Sequence, residues 1–213
     1  MGRLPSPPDE RDYLMTDAMA VLERLPRPVK LWHSDRVLDQ LLTPHCVGFA
    51  WAGWGIADPV EDLWTDCMGH SIYRECKVLD KEAGQENGSH VRSGAKVMKA
   101  RGRLKTYYFA RSVGEAAEHV ARYGPVVLGT VWTEGMKKPS YFGHVIKPTG
   151  KVIGGHAYLW LGVDGRFATI RNSWGTDWGE GGCARISLPD LEALWQSGAE
   201  ACAASELDLP IYP

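Results

Sequence analysis

The 213-residue sequence has no apolar run that approaches the roughly eighteen residues needed by a membrane-spanning helix. Its start, MGRLPSPPDERDYLMTD, lacks the apolar core of a secretion signal. A formal net charge of −2 gives no excess of basic residues for binding nucleic acid or an anionic membrane. We therefore expect a cytoplasmic protein with neither a nucleic-acid nor a membrane partner.

Cysteine is scarce and odd in number, with five residues at positions 46, 67, 76, 183 and 202. This number does not suit the disulfide framework of a secreted protein, although a bond between Cys67 and Cys76 stays open. Cys67 and His70 are one helical turn apart on an expected helix with Cys76 nearby. A further ligand is missing, however, and the spacing matches no common zinc pattern. Small buried thiols explain these residues better, and we expect no metal and no cofactor.

The segment GGHAYLWLGVDGRFATIRNSWGTDWGEGG organises the rest of the chain. Residues 157–163 and 166–174 read as two strands, because Asp164-Gly165 between them tolerates the positive φ angles of a two-residue turn. Antiparallel pairing then brings His156, near the start of one strand, to Asn172, near the end of the other. A neutral amide can orient an imidazole by hydrogen bonding, which is the base-and-orienter half of a nucleophilic triad. A purely structural hairpin with a satisfied histidine is the alternative.

The motifs GGHA and RNSWGTDWGEGG resemble the histidine and asparagine segments of the papain-like cysteine peptidases. This resemblance implies a cysteine upstream at a helix start, preceded by a glutamine. The stretch DQLLTPHCVGFA provides both, with Gln40 placed six residues before Cys46. Secreted relatives usually have a disulfide cysteine three residues before the nucleophile, where this chain has Thr43. The resemblance therefore also fits a reducing compartment, and it is closest to short bacterial or phage relatives.

Cys46 begins the most apolar stretch of the chain, CVGFAWAGWGIA. A helix that is apolar on all sides is expected at the centre of a lobe. Its glycines, Gly48, Gly53 and Gly55, indicate either close approach by neighbours or a partly broken helix. Pro44 prevents extension backwards, so Cys46 lies in the first turn, where the helix dipole favours a thiolate. With an imidazolium nearby, we expect the pKa of Cys46 to lie below neutral.

The expected elements and the resemblance together imply an α+β protein with a papain-like two-lobe fold. Residues 1–38 form an N-terminal arm, 39–110 a helical lobe that carries Cys46, and 111–213 a β-rich, barrel-like lobe. The resemblance implies an active site in the cleft between the lobes. The expected helices are 16–25, 46–57, 59–79, 89–99, 113–123 and 191–195, and the expected strands are 104–110, 126–132, 157–163, 166–174 and 183–188.

The resemblance implies peptide hydrolysis through a thioester. Cys46 attacks the carbonyl and His156 protonates the leaving amine and then activates water, while Asn172 holds the ring. Gln40 stabilises the oxyanion together with the backbone N–H of Cys46. Trp174 shields the contact between the histidine and the asparagine from water. The implied substrate contacts are Gly88, Ser89, Gly155 and Trp174. An ordinary turn is the alternative for Gly88 and Ser89, because the family has a glycine pair there.

The expected partner is a peptide or protein substrate, bound by a monomer. The arm is short and rich in proline, so we expect no inhibitory helix in the cleft. The full-length protein should then react with a thiolate probe without N-terminal processing. Restraint would come from narrow specificity, set by the bulky Leu41, Leu42 and His45, or from a separate inhibitor protein. The alternatives are a papain-fold binding or assembly protein with weak activity, and a cell-wall amidase, which usually has a second histidine in place of Asn172.

Overall fold

The computed structural model describes residues 2–7, the backbone of 13–14, and residues 29–205. The expected helix at 16–25 lies outside the described residues. Five helices are described: α1 Cys46–Ile56, α2 Asp66–Leu79, α3 Val91–Ala100, α4 Val113–Arg122 and α5 Leu188–Gln196. The strands are β1 Arg3–Leu4, β2 Tyr13–Leu14, β3 Lys30–Leu31, β4 Ser89–His90, β5 Thr106–Phe109, β6 Val126–Thr133, β7 Val152–Val163, β8 Phe167–Arg171, β9 Cys183–Ser187 and β10 Glu200–Ser205. Among these residues, no helix is long and apolar enough to cross a membrane.

The strands form one large sheet and one short pair. The eight-stranded sheet has the order β2-β5-β10-β6-β7-β8-β9, with β3 added at the end of β7. Its pairs are antiparallel except for β2 with β5. Strands β1 and β4 pair with each other in parallel. The boundaries 38/39 and 110/111 between the arm and the lobes stay predictions.

Strand β7 separates two hydrophobic cores, because successive side chains of a strand point to opposite faces. Ala157, Leu159 and Leu161 pack with the helices α1 and α3. Tyr158 and Trp160 pack on the other face with α4 and α5. The sheet is therefore covered by helices on both sides, and the start of α1 lies on the same face of β7 as Ala157.

Helix α1 is continuous, and its glycines allow close packing. A Cβ at Gly48 would meet the carbonyl oxygen of Gly69 on α2 at 2.2 Å, and a Cβ at Gly55 would meet the Trp64 ring at 2.3 Å. Of the two interpretations of these glycines, close approach is correct at both positions. It brings α2 directly against the first turn of α1.

One predicted helix begins too early, and one strand was not predicted. Helix α2 begins at Asp66 rather than at Pro59, and in the preceding segment Leu63 is 91 % exposed, so the apolar spacing there is not a helical stripe. Strand β10 is absent from the predicted strands, and it lies between β5 and β6 in the sheet. Its sequence, EACAAS, has little strand propensity, so its place is set by tertiary pairing.

A buried histidine on α4 predicts acid sensitivity. Burial lowers the pKa of His119 to about 4. An unfolded histidine binds a proton below about 6.5, so the unfolded state holds more protons between these values and stability falls as the pH drops through them. We expect the neutral His119 to account for a loss of about 2 kcal/mol in the free energy of unfolding between pH 8 and pH 5.

Urea denaturation of wild type and His119→Gln at the two pH values measures this loss. The variant should show a smaller pH dependence by about that amount. A control is His33→Gln, since the His33 side chain is 69 % exposed. Equal pH dependence in wild type and His119→Gln would show that His119 does not titrate as a buried neutral group.

Candidate active site

Cys46 is the first residue of α1 and is completely buried. The chain enters this helix through a turn in which the Thr43 hydroxyl and backbone N–H both donate to the Gln40 carbonyl. The thiol accepts backbone hydrogen bonds from Ala157, on β7, and from Gly2. Since Ala157 follows His156 directly, the thiol of Cys46 contacts the backbone next to the histidine.

His156 and Asn172 meet as the hairpin predicts. Nε2 of His156 lies 2.8 Å from Oδ1 of Asn172 in a buried hydrogen bond. Asn172 is fixed in turn, because its backbone N–H donates to Gly182 and its Oδ1 also accepts from the N–H of Ser173. Nδ1 of His156 is buried with no hydrogen-bond partner among the described residues. The ring therefore has one nitrogen occupied by its orienting amide and one available for proton transfer.

Tryptophan rings enclose the histidine. The ring of Trp174 lies 4.9 Å from that of His156 between centroids, and Trp132 lies 4.8 Å away. The ring of Trp178 packs on that of Trp174 with centroids 5.7 Å apart. Trp174 therefore lies where the sequence predicts a shield. Trp132 was not assigned to the site, although its place in the buried strand sequence VVLGTVW was a usable signal.

The Gln40 side chain is fixed by two hydrogen bonds. Its Oε1 accepts from the Ser173 hydroxyl at 2.7 Å, and its Nε2 donates to the Thr43 carbonyl at 2.7 Å. The backbone joins the same two segments, because Gln40 N–H donates to the Ser173 carbonyl. An amide nitrogen has two hydrogens, so one remains for a substrate oxygen. Ser173 was not predicted; it follows Asn172, within the motif that suggested the family.

An extended segment of the chain itself, residues 2–7, occupies the cleft; we call it the N-terminal segment. Its strand β1 pairs with β4, and Ser89 N–H donates to the Gly2 carbonyl at 2.6 Å. A Cβ at Gly88 would meet that carbonyl oxygen at 1.9 Å, and Gly88 has a φ of +90°, which favours glycine. A Cβ at Gly155 would meet the Arg3 carbonyl oxygen at 2.1 Å. Three predicted substrate contacts thus touch the N-terminal segment.

The N-terminal segment is anchored by side chains as well. Arg3 is 5 % exposed and donates to Glu200 on β10 at 3.0 Å and to the Gly198 carbonyl at 3.2 Å. Arg92 on α3 donates to the Pro7 carbonyl. The sequence predicts no inhibitory helix from this arm, yet a proline-rich chain that cannot form a helix can still lie over the site as a strand.

Burial under this segment changes the ionisation of the site. Burial raises the pKa of the Cys46 thiol, although backbone hydrogen bonds from Ala157 and Gly2 act in the opposite direction. Burial also lowers the pKa of His156 to about 4, and its hydrogen bond with Asn172 only partly offsets this. The expected thiolate is therefore wrong for this covered state, in which thiol and imidazole are both neutral. Desolvation outweighs the helix dipole here.

All five cysteines are free thiols. Cys67 is exposed and Cys76 is buried, and no disulfide joins them. Within the described part of the chain, no three histidine, cysteine or acidic side chains are grouped so that they could hold a metal ion.

The fold and the site together define a papain-like cysteine protease. The family model "Papain family cysteine protease" matches residues 71–196, which is more than half of the chain. The chain belongs to this family. The matched range includes His156 and Asn172, while Cys46 and Gln40 precede it.

Solved structures show the same α+β, two-lobe fold. Xylellain, a cysteine protease from Xylella fastidiosa, aligns over 97 % of this chain and 96 % of its own with a TM-score of 0.78 and 20 % identity. A procathepsin B from Trypanosoma congolense aligns over 96 % and 85 % with a TM-score of 0.67 and 14 % identity. A digestive procathepsin L 3 of Tenebrio molitor aligns over 85 % and 71 % with a TM-score of 0.62 and 15 % identity. No curated protein matches the chain.

Proposed function

We propose that the protein hydrolyses peptide bonds through a thioester on Cys46, with His156 as acid and base. The observation that carries the proposal is the state of the His156 ring. Nε2 is bonded to the Asn172 amide, and Nδ1 has no partner among the described residues. The Cys46 thiol contacts the backbone of Ala157, the residue after His156, and an imidazole oriented by an amide near a thiol is what nucleophilic catalysis requires.

The chemistry follows in two half-reactions. The Cys46 sulfur attacks the peptide carbonyl while its proton moves to Nδ1 of His156. The tetrahedral intermediate collapses to a thioester as that proton passes to the leaving amine. Water then gives a proton to His156 and attacks the thioester. The acid product leaves, and the proton returns to the Cys46 sulfur.

Two donors are available for the oxyanion. The backbone N–H groups in the first turn of a helix have no partner within the helix, so the N–H of Cys46 can donate to a substrate. The second is the remaining Nε2 hydrogen of Gln40, whose side chain is held by Ser173 and Thr43. Donors that are fixed in advance stabilise the charge that develops on the carbonyl oxygen.

The peptide would bind along the path that the N-terminal segment now fills. Ser89 N–H and the backbone at Gly155 contact Gly2 and Arg3, and a substrate in extended form would use the same groups after the segment leaves. Strand addition of this kind binds the main chain with little demand on its side chains.

A set of peptide substrates beside peptidoglycan fragments tests the proposal. We expect peptides to be cleaved and the fragments left intact. The amide contact at His156 favours this outcome, since the amidase alternative has a second histidine at that place. An epoxide that traps thiolates tests the alternative of a binding protein with weak activity. Such a protein would be labelled at Cys46 without cleaving the peptides.

Gln40→Ala should lower kcat by about 10² with a smaller effect on KM, because the lost amide hydrogen acts on the oxyanion. Steady-state kinetics measure both constants. Ser173→Ala keeps Gln40 but removes its hydroxyl partner, so we expect a smaller loss in kcat. A loss confined to KM in Gln40→Ala would mean that this side chain binds substrate instead.

A further inference from the structure

One face of α2 supports the chain that contacts the peptide. His70, Tyr73 and Lys77 are three and four residues apart on this helix, which places them on a single face. Tyr73 and Lys77 contact residues 85–89, which we call the peptide-contact segment, since it includes Gly88 and Ser89. His70 reaches this segment through His45. In the proposed function, this segment binds the backbone of the substrate. The position of the segment relative to Cys46 therefore determines how well a peptide binds.

A hydrogen-bonded chain joins the peptide-contact segment to the start of the nucleophile helix. Nε2 of His45 lies 2.6 Å from a carboxylate oxygen of Glu86, and Nδ1 of His45 lies 2.7 Å from Nδ1 of His70. The His45 ring also stacks on Tyr73 with centroids 3.8 Å apart. His45 directly precedes Cys46 and is 5 % exposed. The buried side chain of His45 therefore contacts both the segment and helix α2, and its backbone is bonded directly to that of Cys46.

The other end of the peptide-contact segment is fixed from the same helix. Nζ of Lys77, buried beneath the segment, donates to the Gly88 carbonyl at 2.9 Å and to the Asn87 side chain at 2.5 Å. The Tyr73 hydroxyl donates to the Gln85 carbonyl at 3.1 Å. The link through Glu86 is the exposed one, because its side chain is 60 % accessible. It can therefore be changed without disturbing the core.

The hydrogen bond between the two histidine rings can hold only one proton. One Nδ1 must donate and the other accept, so a single proton lies between them. A second proton would place two donors face to face and break the contact. The His45 ring would then lose its hydrogen bond with His70 while Glu86 still attracts it, and the hydrogen bonds among these three side chains would rearrange.

We propose that His45 and Glu86 are positioning residues that fix the peptide-contact segment against the start of α1, and that entry of a second proton into the His45–His70 contact weakens peptide binding. This inference rests on the proposed function. It names residues that act through Gly88 and Ser89 rather than on the reacting atoms.

The charges around His45 come from both neighbouring elements. Glu86 faces it from the segment, His70 and Arg74 face it from α2, and the neutral phenol of Tyr73 stacks on it. Burial lowers the pKa of His45, and His70 and Arg74 add to this, while Glu86 raises it. His45 therefore stays neutral until the solution is more acidic than the ordinary histidine pKa. Peptide binding should therefore weaken on the acid side of the pH profile of the labelling ratio.

The test compares two reagents on the full-length protein. A dipeptidyl epoxide needs the peptide-contact segment, whereas iodoacetamide needs only the thiol. The measured quantity is the ratio of their second-order rate constants for labelling Cys46, followed by mass spectrometry. Glu86→Ala should lower this ratio about tenfold, the effect of losing a charged hydrogen bond. Glu86→Gln retains an acceptor oxygen and should recover most of it. The control is Glu75→Ala. Glu75 lies elsewhere on α2, and its carboxylate accepts a hydrogen bond from Arg101.

The pH profile separates positioning from simple structural support. The wild-type ratio should fall on acidification, and His70→Gln should flatten that fall, because an amide can donate or accept whichever proton state His45 adopts. Equal ratios in wild type and Glu86→Ala, or equal losses in Glu86→Ala and Glu86→Gln, would overturn the inference while leaving the proposed function intact. Absence of Cys46 labelling by either reagent would overturn both.

Discussion

Cys46→Ala is expected to abolish peptide hydrolysis, lowering kcat/KM by at least about 10⁴-fold. The reason is that the proposed thioester forms on the Cys46 sulfur. Cys46 is the cysteine at the start of α1, where its thiol contacts the backbone of Ala157 beside His156. Steady-state kinetics with a cleaved peptide measure the loss, and an unchanged melting temperature excludes unfolding as its cause.

The other four cysteines provide matched controls. Cys67 is exposed and should tolerate alanine with no change in activity. Cys183 is partly buried and Cys76 and Cys202 are fully buried, so alanine there removes one sulfur atom from the packing and should cost about 1 kcal/mol of stability while activity is retained. Hydrolysis by Cys46→Ala at the wild-type rate would refute the assignment of the nucleophile.

Gly2→Ala is expected to raise the alkylation rate of Cys46 by the order of 10². A Cβ at Gly2 would meet the Pro44 carbonyl oxygen at 1.8 Å, so the variant cannot keep the N-terminal segment in its place. Displacing the segment removes several hydrogen bonds that contribute about 1 kcal/mol each, which raises the open population accordingly. Iodoacetamide labelling followed by mass spectrometry gives the rate.

The pH dependence of labelling gives a second readout for the same variant. Burial raises the pKa of the Cys46 thiol in the covered state, so uncovering should shift the alkylation profile to lower pH. Gly114→Ala is the control, because a Cβ there meets its nearest neighbour at an ordinary 3.6 Å. Identical rates and profiles in wild type and Gly2→Ala would mean that the segment does not restrict access to the thiol.

The parts of the site that the sequence predicts are those set by local geometry. The Asp164-Gly165 pair predicts the hairpin that brings His156 to Asn172. The two-residue turn is wrong in detail, because Val163 pairs with Ala168 rather than with Arg166 and the register shifts again between Trp160 and Gly162. The apolar stretch after Cys46 likewise fixes α1, because a helix without a polar face has only the interior to occupy. Both predictions use residues close together in the chain.

What could not be predicted depends on contacts between distant residues. Strand β10 has weak propensity and is placed by pairing with β5 and β6. Arg3 and Glu200 are nearly two hundred positions apart, and their contact gives no local pattern. The raised pKa of Cys46 also depends on a cover that only the folded chain reveals, since the helix-dipole argument assumes access to solvent. Tertiary burial therefore reversed an expectation that was sound for the isolated helix.

The most direct test of the central claim is acid quenching during turnover of a peptide ester, followed by mass spectrometry of the digested protein. The account predicts an added acyl mass on the fragment that contains Cys46, which disappears as the substrate is exhausted. Hydrolysis that proceeds with the acyl group on another residue would contradict it, as would hydrolysis with no acylated protein at any quench time under conditions where deacylation is slowed.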